Sequence, residues 1–305
     1  MGSGDSVQPR NTESVIESVS PELPQGVAVS VVGSDTFIRL QTEGHDVLVE
    51  GYEKEPYLRI SKTGVVQVND SSMTTVLNSD RYANVDVSNF VRSDIPKWRT
   101  IATDGTAMWH DHRSHWMSPK RPAVIDTKGT VLTWDIPVTV DGTVHSVRGS
   151  LYLRQQATVL WWLITVVAIG IGVWAALRRR QLLTVALIAV SLFATVVGIL
   201  EFAGLSGEAR ITPVLLIFAG GALAISLINN AVRRFSSTEY IGWALNAGAG
   251  ALLAVATWIC ADQVRAAYVP GLDTPWLARL AVTAMAGIGI VAIVNGVFRT
   301  IRIED

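Results

Sequence analysis

Hydrophobic and polar positions divide this chain into two parts. Up to about residue 157 the chain is polar, with short apolar stretches; from residue 158 it consists of long apolar runs with short polar breaks between them. A helix needs about 20 consecutive apolar residues to cross a bilayer. The pattern therefore predicts a polar domain followed by a membrane domain.

Five apolar runs in the second part are long enough to span a membrane. We place them at 158–177, 182–203, 212–231, 240–261 and 276–298 within a bundle over 157–300. Basic residues of the short loops follow the first, third and fifth runs: Arg178, Arg179, Arg180, Arg233, Arg234, Arg299 and Arg302. Because cytoplasmic loops are enriched in such residues, we expect the 301–305 tail in the cytoplasm and the N-terminal domain outside the plasma membrane.

Short runs of β-branched residues, broken by turn residues, fill the first part. They predict strands at 27–32, 36–41, 47–50, 56–60, 65–68, 131–140 and 143–153. Asp141-Gly142 between the last two runs predicts a tight hairpin, because both turn positions require positive φ. We expect a β-sandwich over 23–156, a flexible leader over 1–22 and a packed loop over 69–98. The fold class is an α+β membrane protein.

Composition excludes some functions. The net charge is −1, which gives no sign of a nucleic-acid partner. Cys260 is the chain's single cysteine and lies in an apolar run, so a disulfide framework is excluded. No catalytic triad or paired acid and base is recognisable, and we predict that the protein is not an enzyme.

Residues 108–117 hold three of the chain's five histidines. The candidate metal ligands are His110, His112 and His115, with the flanking Met108 and Met117. Imidazole nitrogen and thioether sulfur suit copper, which makes a copper ion the predicted cofactor. On an extended strand, Met108, His110 and His112 share one face and His115 lies on the other.

Two questions about the ligand set stay open in the sequence. His115 joins the other two histidines if the chain turns at Arg113-Ser114; otherwise His45 or His145 would supply a third ligand from elsewhere in the fold. Zinc is the alternative metal if Asp111 also binds.

A family resemblance adds to this interpretation. The segments GYEKEPYLRI at 51–60, TVLN at 75–78 and WHDHRSHWM at 109–117 resemble a family of uncharacterised actinobacterial membrane proteins with an exported β domain and a helical bundle. The resemblance covers most of residues 25–155. It implies an association with copper-handling exported proteins of the CopC-like and YcnI-like kinds.

Three hypotheses follow. The first is a membrane-anchored domain that binds copper or hands it to copper-trafficking proteins, with His110 and His112 side by side at the surface. The second is an assembly subunit of a membrane complex, in which the histidines brace the fold by bonding buried carbonyls or Asp111, and residues 52–57 form a contact surface. The third and weaker one is a transporter, in which Glu201 and Asp262 share a polar cavity. In each case the lipid bilayer is a partner.

Overall fold

The computed structural model describes residues 6–91, 93–205, 209–232 and 239–301. It divides into two compact units, residues 1–154 and 155–305, and each has its own hydrophobic core. The division lies two residues before the boundary expected from the sequence.

Antiparallel strands build the N-terminal unit. In the described residues they are β1 (Thr12–Ser20), β2 (Val27–Val32), β3 (Phe37–Thr42), β4 (Val47–Glu50), β5 (Pro56–Ile60), β6 (Val66–Asn69), β7 (Trp98–Ala102), β8 (Thr106–Trp109), β9 (Thr130–Val140) and β10 (Thr143–Leu153). One sheet has the order β1-β10-β9-β4-β5-β6-β7, and the second has the order β2-β3-β8.

Alternation along the strands creates the core between these sheets. On β9, Trp134, Ile136 and Val138 are buried, whereas the residues between them are more exposed. They belong to one buried cluster with Ile38 and Leu40 of the smaller sheet. Each such side chain contributes about 1.5–3 kcal/mol on burial. The predicted β domain is confirmed, as is the α+β class.

The β9–β10 hairpin is also confirmed. Val140 pairs with Thr143 across the turn, and Asp141 and Gly142 have φ angles of 46° and 84°. Positive φ at both positions gives the turn the twist that its strands require.

The flexible leader predicted for 1–22 is wrong over β1. Thr12 pairs with Leu153 and Ser20 with Ser146, which makes β1 an edge strand. Its sequence, TESVIESVS, has few apolar residues because much of the strand faces solvent, so its pattern resembled that of a leader. Residues 1–5 lie outside the described residues.

A short helix interrupts the predicted 69–98 loop. Helix α1 (Met73–Leu77) begins at Ser72, whose hydroxyl accepts from the Thr74 N–H at 3.1 Å. Glu55 accepts from the hydroxyls of Ser72 and Thr74 at 2.5 and 2.7 Å. These bonds anchor the loop to the segment before β5, and the loop carries residues 78–81 to the histidines.

Long apolar helices form the C-terminal unit. In the described residues they are α2 (Leu163–Arg178), α3 (Arg180–Gly204), α4 (Val214–Val232), α5 (Glu239–Ile259) and α6 (Trp276–Ile301). Five segments are long and apolar enough to cross a membrane, as predicted: Val159–Arg178, Gln181–Gly204, Val214–Val232, Glu239–Ile259 and Trp276–Arg299. The protein is a multi-pass membrane protein. Arg233, Arg234 and Arg302, used to predict the orientation, lie outside the described residues.

Candidate metal centre

A tight turn after β8 brings the histidines together. The backbone N–H and the hydroxyl of Ser114 both donate to the Asp111 carbonyl, each at 3.0 Å. The turn reverses the chain and places the His115 ring beside that of His110, with 4.0 Å between ring centroids. The condition for His115 to join the cluster is therefore met.

His110, His112 and His115 converge on one point. Each offers a ring nitrogen, and the three nitrogens lie within 4.8 Å of one another. The His112 centroid lies 5.4 Å from that of His110 and 5.2 Å from that of His115. Nitrogens bound at about 2.0 Å to one ion place ring centroids about 5–5.5 Å apart, so His110 and His115 would separate by about 1 Å on binding.

The second nitrogen of each ring is held by a backbone carbonyl. The pairs are His110 Nδ1 with Thr36 O at 2.7 Å, His112 Nε2 with Asp80 O at 3.0 Å, and His115 Nδ1 with Trp116 O at 3.0 Å. A carbonyl oxygen can only accept, so these ring nitrogens donate. In a neutral ring the other nitrogen then carries the lone pair, and such bonds also orient the histidines of metal sites.

Burial disfavours the charged form of two of these histidines, His112 and His115. His110 is 1% exposed and His115 is fully buried. Burial lowers the pKa of His115 far below its usual value, and the neighbouring His110 and Arg81 lower it further. Burial also lowers the pKa of His112, which is partly exposed at the rim of the cluster. The expectation that His110 and His112 lie side by side at the surface is wrong for His110.

Asp111 supports the turn and is already engaged by other donors. Its carboxylate accepts from Arg113 Nε and Nη2 at 2.9 and 2.8 Å, and from Trp109 Nε1 at 2.9 Å. Burial raises the pKa of Asp111, but the hydrogen bonds and charge of Arg113 and the Trp109 bond outweigh burial and lower it. Asp111 thus lies outside the cluster of three histidines, contrary to its proposed role in a zinc site.

Tyr52 positions His112, a role that the sequence alone did not reveal. Its hydroxyl accepts from the His112 backbone N–H at 2.8 Å and donates to Asn78. The Tyr52 and His112 rings stack with centroids 5.8 Å apart. Tyr52 lies in the 51–60 segment of the family resemblance, which was the available signal. Tyr57 is 4% exposed, so it is not part of the contact surface expected over 52–57.

The remaining candidate ligands lie around or away from the cluster. Met108 is 2% exposed in β8, and Met117 is 38% exposed just after the turn; their role as ligands stays a prediction. His45 bonds Asp141 and Gln25, and His145 bonds the Pro21 carbonyl, so the third histidine is His115 rather than either of these.

Of the three histidines, His110 lines a cavity of about 240 Å³. Its wall includes His110, Met108, Trp109, Tyr57, Asn78 and Arg99. His110 is therefore in contact with a space large enough for an ion and several waters, although its ring is almost inaccessible.

The two carboxylates proposed for transport lie in the C-terminal unit. Glu201, near the end of α3, hydrogen-bonds the side chain of Gln263, and Asp262 is exposed in the short turn Ala261–Val264. Transport through these groups stays a prediction.

Comparisons of this chain with protein-family models, curated proteins and solved structures found no match. The resemblance to the actinobacterial family, and the link to copper that it implies, stay predictions.

Proposed function

We propose that this is a non-enzymatic membrane protein whose β domain binds a copper ion through His110, His112 and His115. The domain would lie outside the plasma membrane, with the C-terminus in the cytoplasm, and would hold copper or hand it to copper-trafficking proteins. The helical unit would act as the membrane anchor or as a docking surface for a partner.

The observation that supports this proposal is the arrangement of the ring nitrogens in the three imidazoles. One ring nitrogen of each histidine donates to a backbone carbonyl, and the three rings offer nitrogens that lie within 4.8 Å of one another. Three imidazoles in this arrangement suit copper or zinc. The choice of copper rests on the chemistry of an oxidising compartment, on the nearby methionines and on the family resemblance.

A brace of the fold is the second candidate. Two of the three carbonyl bonds, those of His110 and His112, join the segment after β8 to Thr36 and Asp80, which are distant in sequence, as the brace hypothesis expected. Asp111 adds a buried ion pair with Arg113. In this case the histidines would stabilise an assembly subunit without a metal.

Metal titration of the full chain in detergent micelles separates these candidates. Chelators first remove any bound metal. The chain is then titrated with Cu(II), and separately with Cu(I) under an anaerobic reductant, and the stoichiometry of binding and the thermal unfolding are measured. The test variant is His112→Gln, because glutamine keeps an N–H donor for the Asp80 carbonyl but removes the imidazole. The control is His145→Gln, since His145 is also buried and also bonds a carbonyl, that of Pro21.

We expect one ion per chain, an affinity for copper at least ten-fold weaker in His112→Gln, and an unchanged affinity in His145→Gln. Loss of a residue that only hydrogen-bonds a metal ligand already weakens metal affinity by about 10–100-fold, so loss of a ligand should have at least the smaller effect. A wild-type chain that binds no copper, or a folded His112→Gln that binds as tightly as wild type, would contradict the proposal. In that event, a loss of stability in His112→Gln would support the brace.

A further inference from the structure

We infer that the 120–128 loop, KRPAVIDTK, binds the surface of a bilayer that contains anionic phospholipid. This contact is separate from the proposed metal function and does not depend on it. It follows from the place of the loop in the sheet, from its exposed apolar side chains and from its charge.

The loop lies at the end of the larger sheet where the chain leaves the β domain. The Ile125 N–H donates to the Thr130 carbonyl at 2.7 Å, and the N–H of Leu153, the last residue of β10, donates to the Gly129 carbonyl at 2.7 Å. The first membrane-crossing segment begins at Val159, six residues after Leu153. Since each residue spans at most about 3.6 Å, the covalent chain keeps this end of the sheet within about 20 Å of the bilayer.

Two large apolar side chains of the loop face solvent. Val124 is 48% exposed and Ile125 is 70% exposed. Exposed apolar side chains beside basic residues are typical of a surface that lies in the headgroup region of a bilayer. Val144 is similarly exposed, at 57%, but lies near the start of the eleven-residue strand β10, about 30 Å from Leu153. It therefore provides a matched control at the opposite end of the sheet.

The charge of the loop suits anionic headgroups. Lys120, Arg121 and Lys128 are exposed, and the one acid of the loop, Asp126, accepts from the Lys128 backbone N–H at 2.9 Å within the loop's own turn. Lys128 also acts electrostatically on Glu17 of β1, so we assign headgroup binding to Lys120 and Arg121. A basic residue near an anionic surface strengthens binding by roughly five-fold.

Hydrogen bonds fix the shape of the loop at both ends. At its start, the indole Nε1 of Trp116 donates to the Lys120 carbonyl at 2.7 Å. At its end, the Asp126 carboxylate accepts from the N–H and the hydroxyl of Thr130 at 2.9 and 2.7 Å. Because the loop is already ordered, its binding to lipid costs less conformational entropy. Trp116 directly follows His115, so a bound loop would also hold the histidine cluster close to the membrane surface.

A fluorescent label on the full chain in vesicles tests this contact. The native cysteine is removed by Cys260→Ala, and the label is attached to Ile125→Cys or, as the control, to Val144→Cys. The vesicles contain phosphatidylcholine and phosphatidylglycerol, with a nitroxide quencher on the acyl chains. We expect the quenching to be several-fold stronger at Ile125→Cys than at Val144→Cys.

Two outcomes would overturn the inference. One is quenching at Ile125→Cys that is as weak as at Val144→Cys. The other is a label at Ile125→Cys that is shielded from aqueous iodide but is not quenched by the lipid nitroxide, which would show that protein covers the loop in place of lipid.

The double variant Lys120→Gln/Arg121→Gln tests the role of charge. Loss of both basic residues should weaken the binding of the loop roughly 25-fold, and quenching at Ile125→Cys should fall to its value in phosphatidylcholine alone. The covalent tether to the membrane is unchanged in this variant, so proximity alone would leave the quenching as it is. The control is Lys62→Gln, whose side chain is 58% exposed beside Asp141 at the other end of the sheet. Equal quenching in the folded double variant and in the wild-type loop would refute the assignment of Lys120 and Arg121 to anionic headgroups.

Discussion

Removal of the Asp111 carboxylate should open the turn that carries the histidines. In Asp111→Ala, Arg113 loses its ion pair, although its side chain is only 20% exposed, and the Trp109 indole loses its acceptor. The substitution therefore tests whether the buried Asp111 network holds the cluster together.

The expected cost follows from those two losses. Breaking one side of a buried ion pair costs about 3–5 kcal/mol, and a buried unsatisfied donor costs about 1–3 kcal/mol. Arg113 keeps a bond to the Glu50 carbonyl at 3.3 Å and a contact with the Tyr52 ring, which offset part of the loss. We expect a net loss of about 4 kcal/mol in local stability.

Hydrogen–deuterium exchange of the full chain, read by mass spectrometry on peptides from β3 and β8, measures this change. A loss of about 4 kcal/mol in local stability corresponds to amide exchange roughly a thousand-fold faster where the exchange rate follows the equilibrium of local opening. Peptides from α2 to α6 serve as an internal reference, since they belong to the other compact unit.

Asp135→Ala is the matched control. Asp135 pairs with Arg148 at 3.1 Å, but the two side chains are 47% and 63% exposed. Such a surface pair contributes about 0–1 kcal/mol, so exchange should rise less than about five-fold. If Asp111→Ala raised exchange in β3 and β8 no more than this control does, the Asp111 network would not be what holds the turn.

Three further predictions concern pH, the tyrosine and the helical unit. Because His115 has a pKa below its unfolded value, its contribution to stability is complete above about pH 6.5 and is lost on acidification by about 1.4 kcal/mol per pH unit; thermal scans from pH 7.5 to 5 should show this slope, and a folded His115→Phe should have a shallower one. Tyr52→Phe breaks the bond to Asn78 and should lower the stability of the β domain by about 1–3 kcal/mol, measured by its melting temperature; an unchanged melting temperature would exclude that role. Asn246→Leu breaks the 2.7 Å bond from Asn229 between α4 and α5 and should lower resistance to unfolding in detergent by about 0.6–2 kcal/mol; an equal or higher resistance would show that this bond is dispensable.

Strands and helices could be predicted from hydrophobic periodicity where one face of the element is buried or where the element is apolar all round. The strands from β2 to β6, the β9–β10 hairpin and the five membrane helices all have a clear apolar pattern. β1 has a weak pattern because it lies at the edge of a sheet, where much of it faces solvent, and pairs through its backbone with β10. Backbone pairing leaves little trace in side-chain type.

The sequence predicted which histidines form the candidate site, but not which groups surround and bond them. The three histidines are recognisable from their spacing, and the turn that joins them was one stated alternative. Their carbonyl partners could not be predicted, because any residue has a carbonyl: Thr36 and Asp80 supply theirs through the fold. Burial of His110 results from packing between segments that are far apart in the chain.

The pairing of β1 with β10 has a consequence for biosynthesis. Ser20 pairs with Ser146, so an early segment must wait for a late one before the sheet can close. At about 5–20 residues per second, that interval is on the order of ten seconds on the ribosome. Until β10 has been made, β1 lacks its pairing partner. The nascent domain thus depends on its last hairpin, which leaves the ribosome just ahead of the first membrane helix.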